Sequence, residues 1–264
     1  MTSNEETLFA GVHGVLSLYP WTNAALNDED PAEAVERLIG TRSEALGLAS
    51  TILNDDSHDD MAPVRWGHCD SGGDLTQDGS TREVAWLQVY AADLPQQRVP
   101  VLPAIAVLDD VVQRLGDFRL SGTHALVPLH MGPKSSLGVS DHADWFRTDN
   151  PAVRSRFTAS LRLNEEPSAT WLEEFLDELK TRAHDTVSVQ SSQPEPQARQ
   201  LPGHMTGDVE WFIRQDAETH HFQCEGGQWS IDLAGWFTEI ILDAARATGA
   251  CSAALVTVTL STAT

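Results

Sequence analysis

At 264 residues the chain is long enough to bury roughly 70–75% of its unfolded surface, so its core needs no disulfide or metal to hold it together. Its 39 acidic and 17 basic residues give a formal net charge of −22, which repels phosphate backbones and anionic membranes and argues against both as partners. Three widely spaced cysteines form neither a disulfide framework nor a CxxC metal knuckle, so we expect a reducing cytoplasm, no metal and no cofactor.

The first predicted helix begins at Asp30, which can cap it. Pro31 suits the first helical position, and Glu33 completes a capping box with Asp30. Apolar residues then recur at helical spacing as far as Leu53, before the polar run 54–60 interrupts them.

In the rest of the first half, the residue pattern predicts a strand, a helix and a second strand. Residues 83–91 alternate and are rich in Val, Trp and Tyr, which is typical of a strand. A helix is predicted to begin near Pro103, and a strand from Thr123 to His130. Residues 55–82 are too irregular to predict a strand.

The apolar spacing in the second half predicts the order strand, helix, strand, strand, helix, strand. Thr170 and Glu173 are expected to form the capping box of its first helix. The strands in this order are 157–163, 186–190, 209–214 and 252–260, and the helices cover 171–179 and 233–244. The segment 220–224 is a candidate hairpin partner of the strand 209–214.

A faint internal repeat links the two halves. The segment Ala125-Leu126-Val127 recurs 129 residues later as Ala254-Leu255-Val256, and at the same offset the apolar pair 111–112 falls on 240–241. The repeat and the element order predict an α+β protein of two tandem ferredoxin-like, split βαβ lobes, with helices on one face of antiparallel sheets. We expect a first lobe at 1–135, a linker at 136–152 and a second lobe at 153–264.

One segment resembles half of an EF-hand calcium loop. Asp74, Thr76, Asp78 and Gly79 match the start of that motif, but Ala85 occupies the twelfth position, where the loop needs a bidentate Glu. We therefore interpret the segment as a polar turn.

The histidines give no complete catalytic set. His220 and His221 are adjacent on a predicted strand and should point to opposite faces, so both cannot bind one metal. His13 and His124 fall on predicted strands and are interpreted as core or interface residues rather than catalytic ones.

The first functional hypothesis is an acidic interaction module, such as an inhibitor or immunity-type protein that binds a basic protein partner. Clustered surface charge steers complementary partners, and tryptophans beside turns anchor them. Solubility or salt tolerance is the rival explanation of the charge. The predicted partner-binding residues are Asp55, Asp56, Asp59, Asp60 and Trp66.

The alternative hypothesis is a small-molecule enzyme or ligand-binding protein. Two facing α+β lobes can enclose an apolar cavity, in which a histidine acts as general base. The residues expected to line this cavity are Trp86, Tyr90, His124 and Trp211.

Overall fold

The computed structural model describes residues 7–26, 30–48, 66–90, 101–131, 143–147, 150, 152–165, 168, 170–192, 213 and 217–261. Within these ranges the chain is an α+β protein in which helices pack on an antiparallel sheet of eight strands, so the expected class is confirmed. None of the described helices is both long and apolar enough to cross a membrane.

The strands are β1 (Thr7–Leu18), β2 (Gly67–Gly72), β3 (Arg82–Tyr90), β4 (Gly116–Pro128), β5 (Ser155–Leu163), β6 (Ser188–Ser192), β7 (Thr219–Gly226) and β8 (Ala253–Leu260). The helices are α1 (Pro20–Ala25), α2 (Pro31–Ala45), α3 (Val101–Leu115), α4 (Ala143–Arg147), α5 (Trp171–Ala183) and α6 (Ile231–Ala247).

The strands form one continuous sheet in the order β2-β3-β1-β4-β8-β5-β7-β6, and every neighbouring pair is antiparallel. Pairing of β4 with β8 joins the strands of the first half to those of the second. The described strands therefore form one open sheet, which corrects the expectation of two sheets facing each other across a cavity.

The repeated segments meet at this central pairing. Leu126 and Leu255, the middle residues of the two Ala-Leu-Val segments, are direct partners in the β4–β8 ladder. The helix before each of these strands, α3 and α6, also contacts the other. Their close approach depends on Gly235, where a Cβ would lie 3.0 Å from the Leu102 side chain, and Glu239 accepts a 2.8 Å hydrogen bond from the Leu102 N–H.

The main hydrophobic core lies between the helices and one face of the sheet, as the alternating strand patterns require. Leu8, Ala10 and Val12 point into it from β1, and Trp236 and Phe237 enter it from α6. Part of the segment expected to be only a linker also contributes, because Phe146 on α4 packs against Trp236 with ring centroids 5.0 Å apart.

Two helix ends differ from expectation. Asp30 caps α2 by accepting a 2.8 Å hydrogen bond from Ala32 N–H, but the helix ends at Ala45, ahead of Gly47 with φ +70°, rather than near Leu53. The capping box predicted for α5 is wrong. Thr170 has helical backbone angles and makes no capping bond; its hydroxyl instead donates to the Glu174 carboxylate.

Two strands also differ from expectation. Strand β2 forms at 67–72, where the sequence predicts none, because it completes the edge of the sheet against β3. Strand β4 begins at Gly116, since its first residues pair with β1 even though two of them, Asp117 and Arg119, are exposed. The strand predicted at 209–214 lies outside the described residues except for the buried Ile213.

Candidate functional site

Three ionisable side chains meet on the sheet face opposite the helices. They are His13 on β1, Glu83 on β3 and His124 on β4, and we call them the His-Glu-His cluster. Their exposed fractions are 0%, 2% and 3%, respectively. Because β1 pairs with both β3 and β4, the central strand brings together residues that are far apart in sequence.

The contacts within the cluster are short. His13 Nε2 lies 2.8 Å from His124 Nδ1, a hydrogen bond whose donor depends on the tautomers of the two rings. Glu83 Oε1 lies 3.8 Å from His13 Nε2 and 3.5 Å from His124 Nε2. One potential ligand atom from each residue lies within 4.8 Å of those of the other two.

Backbone irregularities at His13 direct its side chain towards Glu83 and His124. The register of β1 against β3 shifts between Val12 and His13, and its register against β4 shifts between His13 and Gly14. Such bulges redirect side chains and are frequent beside active sites. His13 thus sits at an irregularity in both ladders that flank it.

Gly11 provides the space that the cluster occupies. A Cβ at this position would lie 2.4 Å from His124 Cε1 and 2.5 Å from Glu83 Oε1. The central strand therefore has no side chain at the point where two members of the cluster approach its backbone.

Apolar residues border the cluster on the same face. Phe9 on β1 and Leu126 on β4 pack with Ile213 in a second, smaller core, against which Trp86 also packs. These neighbours lower the local polarity. Burial, with a smaller contribution from the charge of His13, holds the pKa of His124 well below its ordinary value, so this ring is neutral at neutral pH.

A buried set of two imidazoles and a carboxyl group can do two kinds of chemistry. It can pass a proton along hydrogen-bonded rings, or it can bind a cation through imidazole nitrogen and carboxylate oxygen. His124 Nε2 is available for either role, because it is buried and makes no hydrogen bond in the described structure.

Of the four residues expected to line a cavity, Trp86, Tyr90 and His124 lie on described strands of the sheet. Trp86 and Tyr90 alternate on β3 and share a face, and both are half-buried. Gly11 pairs with Trp86 on one side and with His124 on the other, so His124 belongs to the same region of the sheet. Trp211 lies outside the described residues.

The residues expected to bind a basic partner are placed differently. Asp55, Asp56, Asp59 and Asp60 lie outside the described residues. Trp66 is 3% exposed and packs in the main core, so it is a core residue rather than a surface anchor. Its large apolar ring fills space beneath the first half of the sheet, a role that the turn-like sequence around it does not reveal.

Other groups singled out in the sequence have structural roles. The turn resembling half an EF-hand is closed by Arg82, which donates to Asp74 at 2.7 Å and to Asp78 at 2.5 Å. Its guanidinium thus pairs with the two carboxylates of this turn. His220 packs against the Trp171 ring on the helix side, whereas its neighbour His221 faces the other way, as the alternation predicts.

Sequence reasoning missed Glu83 and assigned His13 no role beyond packing or an interface. The two lie on different strands, and only the sheet order brings them into contact. The available signal was a glycine two residues before a histidine in a strand that is otherwise apolar. No model of a known protein family matches this chain, and no curated protein matches it either.

Proposed function

We propose that this protein is a small-molecule enzyme or ligand-binding protein whose site is centred on the His-Glu-His cluster. The observation that carries the proposal is the burial of three ionisable side chains from three adjacent strands on the sheet face opposite the helices. Burying such groups costs free energy, and perturbed ionisable groups gather where they have a function.

The chemistry follows from the linked rings. A proton taken up by one ring of the pair can pass to the other across the 2.8 Å hydrogen bond. The Glu83 carboxyl group lies 3.8 Å from His13 Nε2 and 3.5 Å from His124 Nε2, so a proton held by the pair has a carboxyl group beside it. The pair therefore acts as a general base towards a small polar molecule bound on this face.

The test is a thermal-shift screen of a small-metabolite library on the protein as purified. Compounds that bind at the cluster should raise the Tm of the wild-type protein but not of His13→Gln. The matched control is His221→Gln, which alters a half-buried histidine of the second half and should keep the response. A screen in which no compound separates His13→Gln from the control would contradict the proposal.

The second candidate is an acidic interaction module, of inhibitor or immunity type, that binds a basic protein partner. The net charge of −22 favours it, and so does the outer side of α5, where Glu173, Glu174 and Asp177 are exposed. Their charges raise the local concentration of cationic partners and speed their encounter.

Affinity capture followed by binding kinetics tests this candidate. The captured partner should be basic, and its on-rate should fall with added salt and with the variant Asp55→Asn/Asp56→Asn/Asp59→Asn/Asp60→Asn. A control with Glu173→Gln, Glu174→Gln and Asp177→Asn tests whether the effect belongs to the segment 55–60 or to overall charge. Capture of only neutral or acidic proteins, or an on-rate indifferent to salt, would exclude it. Stability that rises steeply with salt, without any partner, would point to salt tolerance instead.

The architecture we propose is two ferredoxin-like lobes joined edge to edge, in a cytoplasmic protein without a nucleic-acid partner. Read outward from the β4–β8 pair, the strands follow one another as β4-β1-β3-β2 on one side and β8-β5-β7-β6 on the other. Each series has the strand order that is expected of an antiparallel βαββαβ unit. Superposition of experimental coordinates, with α3 falling on α6, tests the idea.

A further inference from the structure

We propose that His13, Glu83 and His124 bind one divalent transition-metal ion, of the class that imidazole and carboxylate ligands favour. The inference rests on the proposed function, because it names the cofactor of the same site. Zn²⁺, Co²⁺, Fe²⁺ and Mn²⁺ all belong to this class, and two histidines with one carboxylate are a ligand set suited to them.

Two of the donor distances are close to those around a shared ion, and one ligand atom of each residue lies within 4.8 Å of those of the other two. Ligand atoms arranged tetrahedrally about 2.0–2.1 Å from a metal lie about 3.3 Å from one another. Glu83 Oε1 is 3.5 Å from His124 Nε2 and 3.8 Å from His13 Nε2, so small side-chain rotations bring these atoms to coordination distance. Neither ring has to leave the cluster.

The scaffold is rigid and shaped around the donors. Each ligand lies on a different strand, and the two hydrogen-bonded ladders that β1 forms with β3 and β4 fix the spacing between the three backbones. The register shifts on both sides of His13 and the missing side chain at Gly11 are two separate features that serve the same three residues.

His124 Nε2 is the donor whose environment points most directly to a ligand. It is buried, and it makes no hydrogen bond in the described structure, although its partner nitrogen Nδ1 bonds to His13. Coordination of an ion satisfies such an atom. In the loaded protein each ligating ring keeps its proton on the other nitrogen, and the hydrogen bond between the rings is exchanged for two bonds to the ion. The ion then takes the place of the proton relay between the rings, and the bound small molecule is held by the ion.

Three protein ligands leave at least one coordination position open. Structural zinc sites use four protein ligands, whereas sites with three keep a position for water or substrate. The ion therefore connects this cluster to the small polar molecule of the proposed function, since such a molecule can complete the coordination shell.

Metal binding is tested on the full chain after dialysis against a chelator, with Zn²⁺ and Co²⁺ alone as probes. Calorimetry should give one Zn²⁺ per chain, and saturating Zn²⁺ should raise the Tm by about 5 °C or more. Bound Co²⁺ should develop visible absorption bands, and X-ray absorption of the Zn²⁺ form should show imidazole scattering from two rings. These readouts need no knowledge of a substrate.

The variants Glu83→Gln, His13→Gln and His124→Gln should each lower the affinity for Zn²⁺ by at least about 100-fold, because even residues that only orient ligands contribute about 10–100-fold. Matched controls are His221→Gln and Glu225→Gln on the second half of the sheet, which should bind as the wild type does. A His58→Gln variant covers the histidine of the acidic sequence segment 55–60. Circular dichroism confirms that each variant is folded.

Three results would overturn the metal site. The first is that the wild-type protein binds no stoichiometric Zn²⁺. The second is that the folded Glu83→Gln and His124→Gln variants still bind Zn²⁺ as the wild type does. The third is that Zn²⁺ binding is lost in His58→Gln instead. The proposed function would still be supported after any of these results if a metabolite raises the Tm of the His221→Gln control but not that of His13→Gln. Conversely, tight Zn²⁺ binding at the cluster with no metabolite response would retain the metal site and remove the proposed function.

Discussion

The sheet face opposite the helices carries different chemistry in its two halves. On the β1, β3 and β4 side it holds the buried His-Glu-His cluster beside apolar residues. On the β5, β7 and β8 side it holds half-buried polar residues, among which Thr158 and Thr259 share a 2.6 Å hydrogen bond between their hydroxyls. The half-buried polar residues there include Thr158, Ser160, Arg162, Thr219, His221, Glu225, Thr257 and Thr259.

The opposite face of the same sheet is alike in both halves. It is apolar along β1 and β4 as well as along β5 and β8, and one main core runs beneath all of them. Folding therefore requires apolar side chains on the helix-facing side of the sheet in both halves. It places no such requirement on the other side, so buried ionisable residues found there in only one half are informative about function.

The largest expected effect concerns the shared core. Trp236→Ala should destabilise the protein by about 3–5 kcal/mol, because the ring is 1% exposed and its removal leaves a cavity. Leu108→Ala on α3, the matched change in the first half, should cost about 2–5 kcal/mol. Chemical denaturation measures both.

Each variant should unfold in a single transition, since the core is continuous. Two separate transitions, with only the second-half one shifted by Trp236→Ala, would show that the halves are independent. A loss below about 1 kcal/mol for Trp236→Ala would instead indicate that the ring is not a core residue.

Gly11→Ala should destabilise the protein by about 2–3 kcal/mol, because its methyl group would overlap His124 and Glu83 and overpack a rigid ladder. The matched control is Gly40→Ala, where nothing lies within 4 Å. This helical position should gain about 0.4–1 kcal/mol. Equal stability of Gly11→Ala and the wild type in denaturant would show that the cluster is looser than described.

His124→Gln should cost about 1–2 kcal/mol, since it disturbs a buried hydrogen bond to His13. His221→Gln, on the half-buried face of the second half, should stay within about 0.5 kcal/mol of the wild type. Comparable losses for the two variants would remove the energetic difference between the halves.

The smallest effect is expected at the turn closed by Arg82. Hydrogen bonds from Arg82 and Ser80 hold the pKa of Asp78 below its ordinary value; burial raises the pKa of Asp74, but bonds from Thr76 and Arg82 outweigh it. Their folded-state pKa values are depressed, so the stabilisation is present above about pH 4 and is lost as the pH falls through the folded values.

Arg82→Gln should therefore lower the Tm slightly at pH 7, and the gap to the wild type should close in acid. The gap is small because the turn is exposed to solvent. Thermal melts of both proteins from pH 7 to pH 2 measure it, and a gap that stays constant or widens towards low pH would contradict the assignment.

The sequence by itself determined the class and most of the elements. Apolar spacing located α3 and α6, and period-two alternation located β3, β5 and β8, because each of these elements buries one face against the same core. The repeat centred on Leu126 and Leu255 was visible in the sequence for the same reason, since both segments line the central pair of strands.

Only the tertiary structure decided the candidate site. Strand order, set by long-range pairing, brings His13 next to Glu83 and His124, and no local pattern encodes that neighbourhood. Tertiary packing also decided that Trp66 is buried and that the edge strand β2 forms, because both depend on surfaces supplied by distant parts of the chain. Local periodicity reports which face of an element is apolar, whereas contacts between faces exist only after the sheet has assembled.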